Sequence, residues 1–239
     1  MKFAMSYSVS PVATIHTPFK EKFAIPRQPG LARAALGQVE LLSPYDQDGA
    51  FNGLEQSSHI WLIFLFHKAM PDGNQAPRLL VRPPRLGGNQ KVGVFATRST
   101  HRPNAIGQSL VKLEAIDGTH LTVSGVDLLD GTPILDIKPY VPYSDCLPDA
   151  WNQLASDAPE PTDVQWTPEA LEQARQHQDR LHQPVVELVN QCLSQDPKPA
   201  YQVPAPERIY GVRLWDINVQ WRYPTPASIL VQAVDPTDS

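Results

Sequence analysis

Three short segments of this chain gather side chains that can bind a ligand or move a proton. The longest, Thr97-Arg98-Ser99-Thr100-His101-Arg102-Pro103-Asn104-Ala105-Ile106-Gly107-Gln108-Ser109, packs two arginines, a histidine, hydroxyls and amides around a proline, the composition of a binding loop held between regular elements. The second runs from Asp130 to Tyr140. Asp130-Gly131 signals a turn, after which Asp136, Lys138 and Tyr140 fall on one face of an extended segment and Ile137 on the other. An acid, an ammonium and a phenol side by side can handle a proton or hold a nucleobase; a plain Asp136–Lys138 ion pair explains the same spacing, and the pattern leaves both open. In the third, Pro26-Arg27-Gln28-Pro29-Gly30, the prolines fix the backbone and present Arg27 and Gln28 at a set angle, or simply make a turn. His67 follows an apolar run directly, which places its ring at the end of a core strand, although lone histidines are more often structural than catalytic.

Familiar machinery is missing around these segments. The sequence has no GxGxxG, Walker loop, HExxH, GxSxG or CxxC pair, and its first half has too little helical pattern for a dinucleotide-type strand-turn-helix. The two cysteines, Cys146 and Cys192, lie far apart, against a disulfide framework or a structural zinc site and in favour of a reducing, cytoplasmic compartment. The opening MKFAMSYSVSPVATI has the pattern of neither a signal nor a transit peptide. No segment approaches the roughly 18 apolar residues of a membrane span. The expectation is therefore no membrane and no metal.

Charge is unevenly spread. The chain carries a net −5, yet from Gly73 to Leu113 it has no Asp or Glu and holds seven of the 20 Lys and Arg: Arg78, Arg82, Arg85, Lys91, Arg98, Arg102 and Lys112. A basic stretch on an acidic background points to phosphates or nucleic acid, with a solvated basic surface as the plainer reading.

The elements that position these residues read as mainly β. Short strands are expected at Val9–Ile15, Gly37–Leu42, Ile60–Phe66, Val92–Thr97 and Leu121–Leu128, separated by Pro/Gly-rich turns, the pattern of a barrel or sandwich. Ile60–Phe66 is apolar without a break, which fits a strand covered on both faces. The 25 prolines are about twice the usual share. Composition changes at Ser144–Pro168, giving an N-terminal single-sheet β-barrel domain over 1–145, a linker over 146–166 and a small α+β domain over 167–239. In the last, Thr167-Pro168 caps a helix through about Leu181, Pro184 breaks it, and Val185–Leu193 continues. Trp215, Ile217, Val219 and Trp221 alternate with polar residues as a half-buried strand, paired with Ser228–Val234. Either this hairpin belongs to a separate domain, or its tryptophans complete the barrel's packing.

The segments EKFAIPRQPGL, VGVFATRSTHRPNAIGQS, DGTPILDIKPYVPYSD, DPKPAYQV and WDINVQWRY together resemble the TrmO family of tRNA adenosine N6-methyltransferases over nearly the whole chain. The resemblance implies a β-barrel that binds S-adenosylmethionine as a homodimer, a small C-terminal domain contacting tRNA, and methylation of N6 of threonylcarbamoyl-adenosine next to the anticodon of threonine tRNAs. By motif, it places Pro26, Arg27, Gln28, His67, Lys68, Arg98, Gln108, Gly131, Thr132, Pro133 and Ile134 at the cofactor. The chain departs from the family pattern at Lys68, for glutamine, and at Ala105, for the proline of an RPNPIG form. Candidates for handling the acceptor proton are Asp136, Tyr140 and His67, in that order, and Arg82, Arg85, Arg102 and Lys138 are the candidates for RNA. The competing reading is a non-catalytic RNA-binding barrel that grips phosphates and stacks bases. A protein or small-molecule acceptor for the same cofactor is disfavoured by the basic stretch.

Overall fold

A computed structural model describes residues 7–69, 79–82, 91–198 and 202–237. Arg78 and Arg85 of the basic stretch, and Pro199–Tyr201 of DPKPAYQV, lie outside the described residues. The elements follow in order as β1 (Ala13–His16), β2 (Leu36–Leu41), β3 (His59–Leu65), β4 (Leu80–Val81), β5 (Val92–Gly93), β6 (Ile106–Asp117), β7 (His120–Ser124), β8 (Thr132–Pro139), α1 (Pro142–Asp145), β9 (Asp163–Trp166), α2 (Pro168–Leu181), α3 (Val185–Leu193), β10 (Tyr210–Leu214), β11 (Ile217–Thr225) and β12 (Ser228–Pro236). Six strands close a barrel in the order β1-β2-β7-β6-β3-β8, and a separate four-stranded sheet runs β10-β11-β12-β9. The mainly β reading with a small α+β unit at the C-terminus is thus what the chain forms.

Alternation fills the barrel. Ile60, Leu62 and Phe64 of β3 point inward with Ala13, Ile15, Val39, Val111, Leu121, Val123 and Ile134, all buried. Trp61, Ile63 and Leu65 point outward and are only half-buried. The unbroken apolar run is therefore not covered on both faces within this chain, because the barrel interior takes only every second residue. Close packing also dictates Gly107: a Cβ there would overlap the Phe64 ring and meet the Phe66 ring at 2.9 Å.

Three expected strands are shorter than their apolar runs. β1 starts only after Pro11, which has no N–H to pair. The chain leaves β7 at Gly125, where φ is +75°. At Val92–Thr97 only two residues are strand; the Thr97 N–H and hydroxyl both donate to the Val94 carbonyl, at 3.1 and 2.9 Å, closing a 3-10 turn instead.

Beyond the barrel, Thr167 caps α2 as the sequence implies, its hydroxyl accepting from the Ala170 N–H, with Pro168 at the first turn and His182 in the left-handed region after Leu181. Val185, Leu188, Val189, Cys192 and Leu193 form the buried stripe of α3. Two details differ from expectation. The last four residues of the presumed linker form β9, Asp163–Trp166, which pairs in parallel with Ser228–Val231 of β12. Trp215 is not part of the strand alternation but sits in the β10–β11 turn with φ +50°, while Tyr223 takes the fourth inward position after Ile217, Val219 and Trp221.

The C-terminal unit is packed onto the barrel rather than tethered to it. Phe19 bridges Leu214, the Trp215 N–H donates to the Pro18 carbonyl at 2.8 Å, and the Arg213 N–H donates to Glu21 Oε1 at 2.8 Å. Trp221, fully buried, stacks on Phe23 at 5.9 Å and on Tyr210 at 6.0 Å. From α3, Gln191 Oε1 accepts from the Ala34 N–H at 2.8 Å.

Candidate cofactor site

Strand register brings most of the sequence-selected residues to one rim of the barrel. Phe64, near the end of β3, pairs with Gly107 of β6 and with Ile134 of β8, and Leu65 pairs with Ile106. This edge is therefore where β3 ends and where β6 and β8 begin. His67 and Lys68 follow β3 here, Gln108 stands near the start of β6, and Gly131–Ile134 opens β8 against β1.

Two loops close over it. Gln28 Oε1 accepts from Arg98 Nη1 at 2.6 Å, which joins the proline-fixed segment to the long polar loop. The Gly30 N–H donates to the Gly125 carbonyl at 2.9 Å, and a Cβ on Gly125 would press on the Gly30 backbone, so the 26–30 segment lies directly on the loop after β7. Burial draws the Arg27 guanidinium below its usual range. Arg27 shares a small recess with Cys192 and Gln195 of the C-terminal unit. Lys22 Nζ donates to the Lys68 carbonyl at 2.6 Å and pins the turn that carries His67. Burial and the Lys68 and Lys22 charges lower the pKa of His67.

The turn into β8 is fixed by Asp130, whose carboxylate accepts from the Thr17 N–H at 2.9 Å and Lys20 Nζ at 2.6 Å. Burial pushes this carboxyl up, but those donors outweigh it and leave it below the ordinary carboxylate range. Gly131, at φ +72°, completes the turn. Thr132 and Ile134 are buried, the threonine hydroxyl being spent on the Leu129 carbonyl at 2.6 Å, so this segment offers a ligand its backbone rather than those two side chains.

The acceptor-side candidates do not converge within one chain. Asp136 and Lys138 form an exposed ion pair at 2.7 Å, the plainer of the two readings of their spacing. Tyr140 packs against Trp61 and His59, and its N–H donates to the His59 carbonyl at 3.0 Å. His59 begins β3 and His67 follows its end, and the seven-residue strand between them spans about 20 Å at 3.3 Å per residue. Tyr140 and His67 are thus at opposite ends of the barrel. Asp136 lines a groove of about 830 Å³ between the Pro44–Leu54 segment and β8, which contains none of the cofactor candidates. Of the RNA candidates, Arg82 is exposed, whereas Arg102 donates to the Thr97 and Ser99 carbonyls at 3.2 and 3.4 Å and so braces its own loop. Ala105 is buried with φ +50°, a conformation closed to proline, so the departure from the RPNPIG form goes with a different local backbone.

Sequence reasoning missed Asp127. This acid sits in the otherwise apolar run Gly125-Val126-Asp127-Leu128-Leu129, which was its only signal. Its Oδ1 accepts from the buried Ser109 hydroxyl at 2.5 Å. Burial pushes its pKa up to about 6 against the pull of Ser109, its own backbone N–H and the Arg98 charge.

Comparison with known proteins matches both parts of the chain: the tRNA-methyltransferase O N-terminal domain over residues 14–146 and the TrmO C-terminal domain over residues 159–237. The chain belongs to the TrmO family. It is 45% identical to the tRNA (adenine(37)-N6)-methyltransferase of Escherichia coli, covering 97% of this chain and 99% of that protein. A Pseudomonas aeruginosa protein provisionally named as the S-adenosylmethionine-dependent methyltransferase RcsF is 60% identical, covering 95% of this chain and 97% of the relative. A crystal structure of TrmO from the same species superposes with a TM-score of 0.85 at 52% identity, over 99% of this chain and all of that one.

Proposed function

We propose that this chain is an S-adenosylmethionine-dependent tRNA methyltransferase that acts on N6 of adenine 37, with threonylcarbamoyl-adenosine in threonine tRNAs as its acceptor. The observation that carries this reading is the near full-length likeness to the E. coli enzyme. The gathering of the motif residues at one barrel rim supports it.

The cofactor supplies an electrophilic sulfonium methyl group, so the protein's work is placement, worth roughly 7–11 kcal/mol in favourable cases. Gln28, Arg98 and the Gly131–Ile134 backbone are the groups at the rim that can hold and orient it. The acceptor is harder: a carbamoylated N6 has a delocalised lone pair and must lose a proton. Asp136, Tyr140 and His67, in that order, are the candidates to orient or accept it; the groove that Asp136 lines lies apart from the cofactor rim, so Asp136 would have to meet a cofactor held by a second copy. Arg82, Arg85, Arg102 and Lys138 serve the RNA phosphates, and the C-terminal unit extends that surface.

A homodimer completes this account. Trp61, Ile63, Leu65 and Leu110 form a half-buried apolar row on the outer face of β3 and β6, continued by exposed Ile106, and a second copy laid on it would cover the row. The same assembly can bring groups from opposite barrel ends to one site. A fully active monomer by sedimentation at micromolar concentration would refute it. The expected location is the cytoplasm, where tRNA is modified.

Nucleoside mass spectrometry of tRNA from cells with and without the gene tests the activity. Loss of the N6-methylated nucleoside and its return on complementation are expected; an unchanged nucleoside profile refutes the reading. If RNA raises the melting temperature of the purified protein and S-adenosylmethionine does not, the chain is a binding module instead.

A further inference from the structure

One short stretch of chain, Thr17–Lys22, is held from two sides as it leaves β1 at the cofactor rim. Toward the rim, the Thr17 N–H and Lys20 Nζ donate to the two carboxylate oxygens of Asp130 at 2.9 and 2.6 Å, and the Asp130 N–H donates to the Phe19 carbonyl at 2.8 Å. The buried Thr17 hydroxyl donates to the Leu128 carbonyl at 2.9 Å, and Lys22 Nζ reaches the Lys68 carbonyl beside His67. Toward the C-terminal unit, the same stretch lies along β10, the strand that ends the sheet order. Phe19 bridges Leu214, the Trp215 N–H donates to the Pro18 carbonyl at 2.8 Å, and the Arg213 N–H donates to Glu21 Oε1 at 2.8 Å. An outer strand leaves backbone donors without a sheet partner, and here the strap supplies acceptors for them. Lys20 and Glu21 are thus neighbours in sequence that bond in opposite directions, one to the turn that opens β8 and the other to the edge of β10. A planar peptide links them, so a shift at one is carried directly to the other.

We propose that Lys20 and Glu21 are positioning residues of the cofactor site: Glu21 anchors the strap on β10, and the anchored strap holds the Asp130–Gly131 turn, through Lys20 and Thr17, where its backbone meets the cofactor. This rests on the methyltransferase reading of the rim and adds to it two residues outside those that the motifs place at the cofactor. Both act through Asp130 and neither acts on the reacting atoms. Position matters here because the Thr132 hydroxyl is already spent on Leu129, which leaves backbone groups to hold the ligand, and a hydrogen bond weakens steeply once its geometry is lost. The C-terminal unit thereby takes part in cofactor binding as well as in RNA contact.

The test is calorimetric titration of the full-length protein with S-adenosylmethionine, well below its melting temperature, alongside steady-state methylation of tRNA. Lys20→Met and Glu21→Ala should each weaken cofactor binding by about 2- to 10-fold, the reach of one hydrogen bond, with kcat at saturating cofactor and tRNA kept within about three-fold. Conservative changes should rescue: Lys20→Arg keeps a cation for Asp130 and Glu21→Gln keeps the Oε1 acceptor for Arg213, so each should bind within about two-fold of the unsubstituted protein. In Lys20→Met/Glu21→Ala the loss should be smaller than the product of the single losses, because a strap released from β10 no longer holds Lys20 on Asp130.

Unchanged cofactor affinity in Glu21→Ala overturns the proposal, even if that variant melts earlier, since a merely structural contact would lower the melting temperature alone. Glu21→Gln behaving like Glu21→Ala overturns it too, because charge and not the bond to β10 would then be responsible. So does full independence of the two single changes, or a collapse of kcat at unchanged affinity. If the unsubstituted protein binds no S-adenosylmethionine, the methyltransferase reading itself fails and takes this proposal with it, an outcome distinct from the failure of the strap alone.

Discussion

Gly107 links the packing of the barrel to the placement of the polar loop, and Gly107→Ala tests that link. The residue lies at the start of β6, inward-facing and paired with Phe64. A Cβ added there would overlap the Phe64 ring and come within 2.9 Å of Phe66 Cζ. Phe64 is 4% exposed and already set edge-on against the half-buried Phe66 with ring centroids 5.2 Å apart, so the Phe64 ring has little space to turn into. Overpacking of this kind costs about 1–3 kcal/mol. The reduced freedom of the unfolded chain returns only about 0.4–1 kcal/mol, since φ at this position is not in the left-handed region. The net is destabilising by about 0–2.5 kcal/mol, with the upper half expected because the closest overlap is with the buried Phe64 ring. For a chain of this size that is a fall in Tm of up to about 10 °C, at about 2–4 °C per kcal/mol. Scanning calorimetry measures it, and titration with S-adenosylmethionine should show weaker binding, because the strain falls where the Arg98 loop enters β6. The double variant Phe64→Leu/Gly107→Ala removes the ring and should recover stability relative to the sum of the single changes. An unchanged or higher Tm in Gly107→Ala, or no coupling in the double variant, would refute the reasoning.

Methyl transfer to tRNA should need no added metal, since no group of three or more metal-binding side chains occurs among the described residues; activity lost to a chelator and restored by zinc or magnesium, with the RNA fold controlled, would contradict this. Arg98→Ala should weaken cofactor binding, losing a charge-assisted hydrogen bond of about 1.5–3 kcal/mol at most, discounted for exposure. Arg102→Ala should lower RNA affinity and its salt dependence while also loosening the Thr97–Ser99 turn; calorimetry and salt titrations separate the two, and unchanged affinities in both variants would leave the loop structural. Deleting Thr167–Ser239 strips Trp221 from Phe23 and Leu214 from the buried Phe19, each worth about 1.5–3 kcal/mol of burial, so the isolated barrel should melt earlier or aggregate. A barrel of undiminished Tm that binds the cofactor within a few-fold but no longer methylates tRNA would instead establish separable domains.

The strands that were legible in the sequence are those in which the chain alternates cleanly or is apolar throughout. β3 is announced by Ile60–Phe66, and β11 by the Ile217, Val219, Trp221 period. β6, the longest strand, gave almost no signal. Gly107 and Ser109 interrupt its inward face before Val111, and Gln108, Lys112 and Glu114 interrupt the outer face around Ile106 and Leu110, so neither face carries an unbroken apolar period. Gly107 is small because Phe64 fills the space from the opposite strand, and Ser109 is polar because Asp127 is its partner. Both causes lie far away in sequence. β9 was hidden for a related reason: Asp163–Trp166 is polar, exposed on alternate residues, and becomes a strand only because β12 offers it an edge.

The site shows the same division between what a segment carries in itself and what its neighbours impose. Pro26–Gly30, Arg98 and the Asp130-Gly131 turn could be selected from local chemistry, since proline, glycine and a cluster of polar groups mark a loop whatever surrounds it. Their meeting at one rim could not, because it follows from the pairing of Phe64 with both Gly107 and Ile134. The Asp136, Lys138, Tyr140 face was read correctly as a face, yet a shared face of a strand is not a shared site. Two residues apart, Asp136 and Lys138 are close enough to pair; Tyr140, just past the end of β8, is four residues from Asp136, about 13 Å for extended chain. Residues so spaced act on one small molecule only if something else crosses the strand to meet them. The half-buried row of Trp61, Ile63 and Leu65, directly beside that face, is the surface on which a second copy would do so.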